Sequence, residues 1–416
     1  MWFTEGSRVA SIGTTVPEVM LSSRQVTFGD GSTSTRTITV TNTGDAVLNI
    51  ATVGLTGADR AAFTVVNDGC SKQRVLERAF CRVEVAFRAG SDSRVRAARL
   101  AISDNATASP QMVSLVAQLP DCKLPVFPYN SPTNVQGGFL TVSDGSQVDD
   151  PAGDFVSGNL LSHSKAKPVL NGQLPAVYDR AAGRWVPTGA GAMSPDGGRY
   201  AYMDYSQPFD FHLHVVAVAT GHDQLLTLPN GPWSVVGFTS DGIYVHQTYE
   251  GVGLGLWLVN PDSGAVRKLF SDAAVDLISG QVVWIEARDK TDPLPEPPGI
   301  GGANNEIQSR DLNSGATTTW FYRSGSSVRV VGAANGSILV SGYDIAGTYL
   351  WALDGPGQAA LITTPETGDS LPFSSGLVAD VNGWWFGSLD GIYLWTQRTG
   401  AILVSETLAG PAGTCA

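Results

Sequence analysis

Lysine is scarce: there are six in 416 residues, and charged side chains of all kinds make up 15% of the chain, against about 25% in ordinary globular proteins. So little charge excludes a coiled coil, a helical solenoid and a charged disordered chain. No uncharged apolar run approaches the ~18 residues that a membrane-spanning helix needs, so the chain is expected to be soluble. Met1-Trp-Phe-Thr-Glu-Gly-Ser-Arg8 has neither the basic start nor the apolar stretch of a secretory leader, so the start reads as mature, truncated or cytosolic. G-x-S-x-G elbows, Walker loops, dinucleotide fingerprints, H-E-x-x-H and C-x-x-C are all absent, which weakens the common hydrolase, nucleotide-binding and zinc classes. What is abundant is glycine, 48 residues, with much Thr, Val and Ser. That is the composition of a turn-rich β protein, and the length suggests two modules.

Charge divides the chain. Residues 17–120 carry eleven basic and nine acidic side chains, and residues 121–416 carry fourteen and twenty-eight. The second part should repel nucleic acid and anionic lipid while tolerating divalent cations or cationic partners. The expected division is a flexible segment 1–16, a first module over 17–120 and a second over 121–416.

From Met20 to Ala117 the pattern is seven short β segments separated by Gly, Asn, Asp and Ser clusters, the spacing of a β-sandwich. A period of two sends Ile38 and Val40, then Val83, Val85 and Phe87, then Leu100 and Ile102 to one side, with Arg82, Glu84 and Arg88 on the other. Val26-Thr-Phe28-Gly29, Ile38-Thr-Val40-Thr-Asn42-Thr-Gly44, Cys81-Arg-Val83-Glu-Val85-Ala-Phe87 and Leu100-Ala-Ile102-Ser-Asp104-Asn105 resemble the abnormal-spindle/hydin-type immunoglobulin-like module, called choice-of-anchor D in exported bacterial proteins. The resemblance covers about the first quarter of the chain and implies a non-catalytic spacer or adhesion module. Arg88-Ala89-Gly90 departs from it where the family commonly has a proline.

The rest is repetitive. A short strand, a Gly-containing turn and another strand recur at Gly183, Gly221, Gly264, Gly315, Gly357 and Gly400, and a second series of turns interleaves at Gly145, Gly197, Gly242, Gly280, Gly336 and Gly383. Two turns per repeat mean four strands, and four-stranded units of ~40–45 residues indicate a β-propeller. Six blades fit residues 123–416, with a proline-rich insertion at Lys290–Gly299; seven is the alternative, because 123–190 can hide a partial blade. Met193-Ser-Pro-Asp-Gly-Gly-Arg199 resembles the Ser-Pro-Asp-Gly repeat of TolB-like propellers, which implies architecture and not partners.

The cysteines are Cys70, Cys81, Cys122 and Cys415. A closed propeller brings its two ends together, so the pairing expected is 70 with 81 and 122 with 415. Two bridges would place the protein in an oxidising compartment, extracellular, cell-surface or periplasmic. Four reduced buried thiols are the alternative.

Candidate chemistry is sparse. His212 and His214 alternate on a strand and could share a metal with Asp204 or Asp210, and Asp144, Asp149, Asp150 and Asp154 crowd one loop where calcium could bind; packing and Asx turns explain both groups as readily, so neither is taken as a metal site. Asp204, Glu250, Glu286, Asp344 and Asp390 fall six to eight residues after the interleaved turn glycines. Each sits where the second strand of its blade runs out. With Tyr205, Tyr249 and Tyr343 beside them, they would rim one face of the propeller and attract cations, amines, basic peptides or sugars. Trp257, Trp351 and Trp395 occupy equivalent third-strand positions and should pack between blades; Trp384-Trp385 and Trp320-Phe-Tyr322 are read as core before carbohydrate platform. These features describe an all-β, secreted or surface-attached binding or scaffold protein with a protein or carbohydrate ligand and no obligatory cofactor. The alternative is an extracellular hydrolase or lyase acting on glycans or lactones through funnel carboxylates.

Overall fold

The computed structural model describes residues 16–29, 33–90, 94–128, 136–154, 177–186, 188–204, 212–229, 231, 233–249, 252–271, 274–289, 304–344, 347–362, 375–388 and 390–416. Strand dominates, and no helix among them is long and apolar enough to cross a membrane. Internal contacts divide the chain into two compact units, Met1–Pro120 and Asp121–Ala416.

The first unit has nine strands among the described residues, in two sheets. One contains Val19–Leu21, Thr33–Asn42, Phe80–Arg88 and Phe63–Asp68. The other contains Gln25–Phe28, Gln111–Ala117, Arg96–Asp104, Leu48–Thr56 and Arg74–Val75. The alternation read from the sequence holds: Val83, Val85 and Phe87 are fully buried, Arg82 and Arg88 are exposed, and Ile38, Leu100 and Ile102 from both sheets meet in one core. At its centre Phe28, Phe63 and Phe87 meet edge-on or tilted, with centroids 5.4–6.1 Å apart. Cys70 and Cys81 are bonded, with Cα atoms 5.2 Å apart.

The second unit holds seven sheets among the described residues. The first joins Lys123–Pro128, Gln136–Thr141 and Gln147–Asp154 to Ala409–Pro411 from the other end of the unit. The second is the hairpin Val177–Asp179 with Arg184–Val186. The third contains Arg199–Asp204, His212–Ala217 and Asp223–Thr227, and the fourth Trp233–Thr239, Gly242–Tyr249, Val252–Val259 and Val266–Ser271. The fifth contains Ala274–Ser279, Val282–Ala287, Glu306–Asp311 and Thr317–Tyr322; the sixth Ser327–Ala334, Ser337–Asp344, Gly347–Leu353 and Ala359–Leu361; the seventh Ser375–Asp380, Gly383–Ser388, Gly391–Thr396 and Gly400–Ser405.

Each sheet packs face to face on the next. Tyr178 and Trp185 of the second sheet meet Phe139 of the first at 4.9 and 6.1 Å. Val177 and Val186 then join Tyr200 and Val216, Leu213 joins Trp233, and Tyr244 joins Val283. Ile307 and Phe321 join Val340 and Trp351, and Leu350 joins Phe386 and Trp395. Trp351, Trp384, Trp385 and Trp395 are all under 8% exposed, so these aromatics are core. The circle closes on residues 409–416. Val126 pairs with Pro411, Lys123 N–H donates to Ala416 O at 3.0 Å, Cys415 N–H donates to Asp380 Oδ2 of the seventh sheet at 3.0 Å, and Arg180 of the second sheet donates to Thr414 O. The Cys122–Cys415 disulfide, Cα atoms 5.5 Å apart, lies in this seam.

The turn glycines sort with one exchange. Gly221, Gly264, Gly315, Gly357 and Gly400 close the hairpins between third and fourth strands at φ +67° to +74°, but their partner in the first sheet is Gly145, at +73°. Gly183 instead closes the two-stranded second sheet. Its Asp179-x-x-x-Gly183 spacing is that of the outer turn Asp311-x-x-x-Gly315, so the turn alone does not say which hairpin it closes. Only Gly holds this conformation without strain. Gly264→Ala should therefore lower stability by about 1 kcal/mol, measured by urea unfolding, although the substitution adds only a methyl group.

In four sheets the first strand bulges at one place, between Val235 and Gly237, Val275 and Leu277, Val330 and Gly332, and Ser375 and Leu377. A bulge leaves one residue outside the ladder and sharpens the local twist. In the fifth sheet that residue is Asp276.

Candidate functional site

The proposed rim residues fall where second strands end. Arg199–Asp204, Gly242–Tyr249 and Ser337–Asp344 stop at or next to three of them. The backbones of Asp204 and Tyr249 are described but not their side chains, and Tyr205 and Glu250 lie outside the described residues. Glu286, Tyr343, Asp344 and Asp390 are described.

Three of these come together at the loop end of the fifth and sixth sheets. Glu286, near the end of its strand, accepts a hydrogen bond from Asn304 Nδ2 at 2.7 Å. Its carboxyl is also in hydrogen-bonding contact with that of Asp276, lifted out of the ladder by the bulge. Asp276 Oδ2 in turn accepts the Val330 N–H of the sixth sheet. Burial, and then the neighbouring Glu286 carboxyl, push the Asp276 carboxyl well above its ordinary range, which favours its protonated form beside Glu286. Arg329 pulls weakly the other way. On the fourth sheet His246 faces Glu286; burial holds its imidazole below the usual value, Glu286 lifts it partway back, and its Nε2 is buried without a hydrogen-bond partner.

The Asn304–Asn305 segment carries the network onward. Asn304 O accepts the Val328 N–H at 2.8 Å and Asn305 O accepts the Arg323 N–H at 2.9 Å. The Arg323 guanidinium pairs with Asp344 Oδ2 at 3.2 Å and donates to Ser326 Oγ at 3.1 Å. It lies 4.8 and 5.1 Å over the stacked rings of Tyr349 and Trp351. Tyr343 and Tyr322, next in sequence to Asp344 and Arg323, are 46% and 47% exposed. Asp390, on the seventh sheet, accepts from Tyr393 Oη at 2.7 Å. Sequence reasoning missed Asp276, because a bulged residue breaks the period-two pattern, and missed Arg323, which stands in a link between sheets.

The metal candidates separate. His214 Nδ1 is 2.9 Å from Asp223 and its ring stacks on Tyr202 at 4.6 Å; Asp210 lies outside the described residues. Asp144 accepts from Ser146 N–H and Oγ, which hold its carboxyl below the usual range, and Asp150 accepts from Trp185 Nε1 at 2.9 Å. Among the described residues no three His, Cys, Asp or Glu are grouped to hold a metal.

A cavity of about 560 Å³ lies at the centre of the ring. Strands of five sheets line it, at Tyr178, Val236, Leu277, Val331 and Leu377, together with Met193 ahead of the third sheet and Thr414 after the last strand. It sits toward the first-to-second-strand turns, with Asp179, Arg180 and Asp196 at its polar side, and so at the end opposite Glu286 and Asp344. The Ser194-Pro-Asp196 turn is closed on itself there, Ser194 Oγ donating to Asp196 Oδ1 at 2.6 Å.

A circle of sheets with apolar faces packed in sequence, closed by a strand from the far end, defines an all-β protein whose second unit is a β-propeller. No protein-family model matches the chain, and no curated protein matches it. Among solved structures it is similar to TolB from Acinetobacter baumannii, at 14% identity and TM-score 0.30 over 64% of this chain and 61% of that one. It is similar to BamB from Moraxella catarrhalis at 16% and 0.30, over 50% and 57%, and to a post-proline cleaving enzyme from Rickettsia typhi at 10% and 0.39, over 70% and 52%. Each match spans less than two thirds of the other chain. Likeness of this degree assigns neither activity nor partner.

Proposed function

We propose that this is an exported, non-enzymatic binding or scaffold protein of the periplasm or extracellular space, in which an immunoglobulin-like, choice-of-anchor D type sandwich is a spacer and the propeller presents the binding face. The propeller is read as seven-bladed, with the two-stranded hairpin as its reduced blade, because seven sheets follow one another in the second unit among the described residues. The observation that carries the reading is the cluster at the loop end of the fifth and sixth sheets. Exposed Tyr322 and Tyr343 are the sequence neighbours of an Arg323–Asp344 pair whose guanidinium is also held over two aromatic rings, and Tyr and Arg side chains are enriched among the residues that dominate protein–protein contacts. A protein partner is favoured over a free cation, since Asp344 is paired with Arg323 and Glu286 is bonded to Asn304. The two disulfides support an oxidising compartment.

Tyr322→Ala with Tyr343→Ala should abolish capture of the partner from extracellular and periplasmic extracts while leaving circular dichroism and Tm unchanged. Equal capture by the double variant would reject this face. The wider rim is tested by changing Asp204, Glu250 and Asp344 together to Asn; on the cationic-ligand reading, binding of basic peptides should fall. The second reading, a hydrolase or lyase acting on glycans or lactones, is favoured by one observation, the buried Asp276 carboxyl in contact with Glu286 and pushed above its ordinary range. Those carboxyls touch, whereas glycosidase pairs stand about 5–9 Å apart. Product release from a glycan or lactone panel, lost in Glu286→Gln, would establish it.

A further inference from the structure

We propose that the cleft between the fourth and fifth sheets, at the turn end of the ring, is a binding site for a small oxyanion, a carboxylate or a phosphate. The cleft has a volume of about 470 Å³ and is lined by Asp241, Tyr244, Arg267, Phe270, Gln281 and Arg310, with the turn Asp311–Gly315 at its edge. Both carboxylates there are committed to local structure. Asp241 Oδ2 accepts from Gln281 Nε2 at 2.8 Å and from the Tyr244 hydroxyl at 3.4 Å. Asp311 Oδ1 accepts the Asn313 and Ser314 N–H groups and the Ser314 hydroxyl at 2.7–3.0 Å, closing its own turn.

Neither Arg267 nor Arg310 has an ion pair or hydrogen bond among the described residues. In a unit with twenty-eight acidic and fourteen basic residues, two unpaired guanidiniums facing one cleft are conspicuous donors without an acceptor. Arg310 is also held in place, its guanidinium 4.6 Å over the Phe270 ring, which leaves the planar fork free at its edge. A fork of this kind matches two oxygens of a carboxylate or phosphate at once. Burial, and then Asp241, raise the Tyr244 phenol, so it stays a donor to Asp241 and adds no negative charge to the cleft.

The test is isothermal titration of the full chain with sodium phosphate and with sodium succinate, at low ionic strength matched with sodium chloride. Saturable binding of at least one is expected, weakened about tenfold or more in Arg267→Gln and in Arg310→Gln, the loss of a charge-assisted hydrogen bond. The tighter of the two identifies the source as phosphate or carboxylate. No saturable heat from either, or unchanged affinity in both variants, overturns the site. Arg267 is exposed, so Arg267→Gln should fold normally and decides the matter alone if loss of the Phe270 contact unfolds Arg310→Gln.

Discussion

Asp276→Asn should make the protein more stable than wild type at pH 8, by about 1–3 kcal/mol, the cost of a recessed charge left unpaired. It should also flatten the fall in stability with rising pH. In the folded chain the Asp276 carboxyl titrates well above 3.8, its ordinary value. Between those two values the folded state holds a proton that the unfolded state has released, so stability is complete below the lower value and declines as pH climbs through the window. Above it Asp276 must ionise against Glu286. Asparagine keeps both contacts, its carbonyl accepting the Val330 N–H and its amide donating to Glu286, and removes the titration. His246 slopes the other way: buried and held below 6.5, it favours the folded state as pH rises toward that value. His246→Gln in the Asp276→Asn background separates the two. Urea midpoints between pH 4 and 8 measure all of this, and an unchanged slope in Asp276→Asn would show that the proton is not where it is placed here.

The larger effect should come from the seam of the ring. Replacing Cys122 and Cys415 with Ser removes a bridge spanning 293 residues, for which the chain-entropy relation gives about 6 kcal/mol. The Cys70–Cys81 bridge spans 11 residues and should contribute about 3 kcal/mol. The two are separable by optics, because nine of ten tryptophans lie between residues 185 and 395 and none between 16 and 120. Tryptophan fluorescence should therefore report a much lower urea midpoint for Cys122→Ser/Cys415→Ser and almost none for Cys70→Ser/Cys81→Ser. A shift of similar size in both would be inconsistent with a ring held at one seam.

Much of this was legible in residues 16–120, where strands obey period two and Val83, Val85 and Phe87 announce their face. The propeller hairpins were legible because their glycines adopt a conformation other residues resist. The reading was weakest where local pattern and long-range position part company. Gly183 looks like an outer turn and closes an inner hairpin, since nothing local records which sheet a hairpin joins. Asp276 stands in Ala-Val-Asp-Leu-Ile-Ser, a run whose alternation breaks at the very residue that matters, and its partner Glu286 looked like a lone strand-ending carboxylate. Arg323 neutralises Asp344 from a linker with no periodicity at all. Candidate site residues could be named one at a time; their partners, which decide their charge, come from neighbouring sheets and from positions 10 to 54 residues away.

The strand Ala409–Pro411 gives the second unit a direction in time. Until Ala409–Pro411 is in place, the first sheet lacks its inner member, the strand that pairs with Val126–Pro128. Closure of the ring therefore requires a strand about 280 residues further along the chain, and Cys122 has no disulfide partner until Cys415 reaches the same seam. A chain without residues 409–416 would lose the pairing and the bridge that hold this seam.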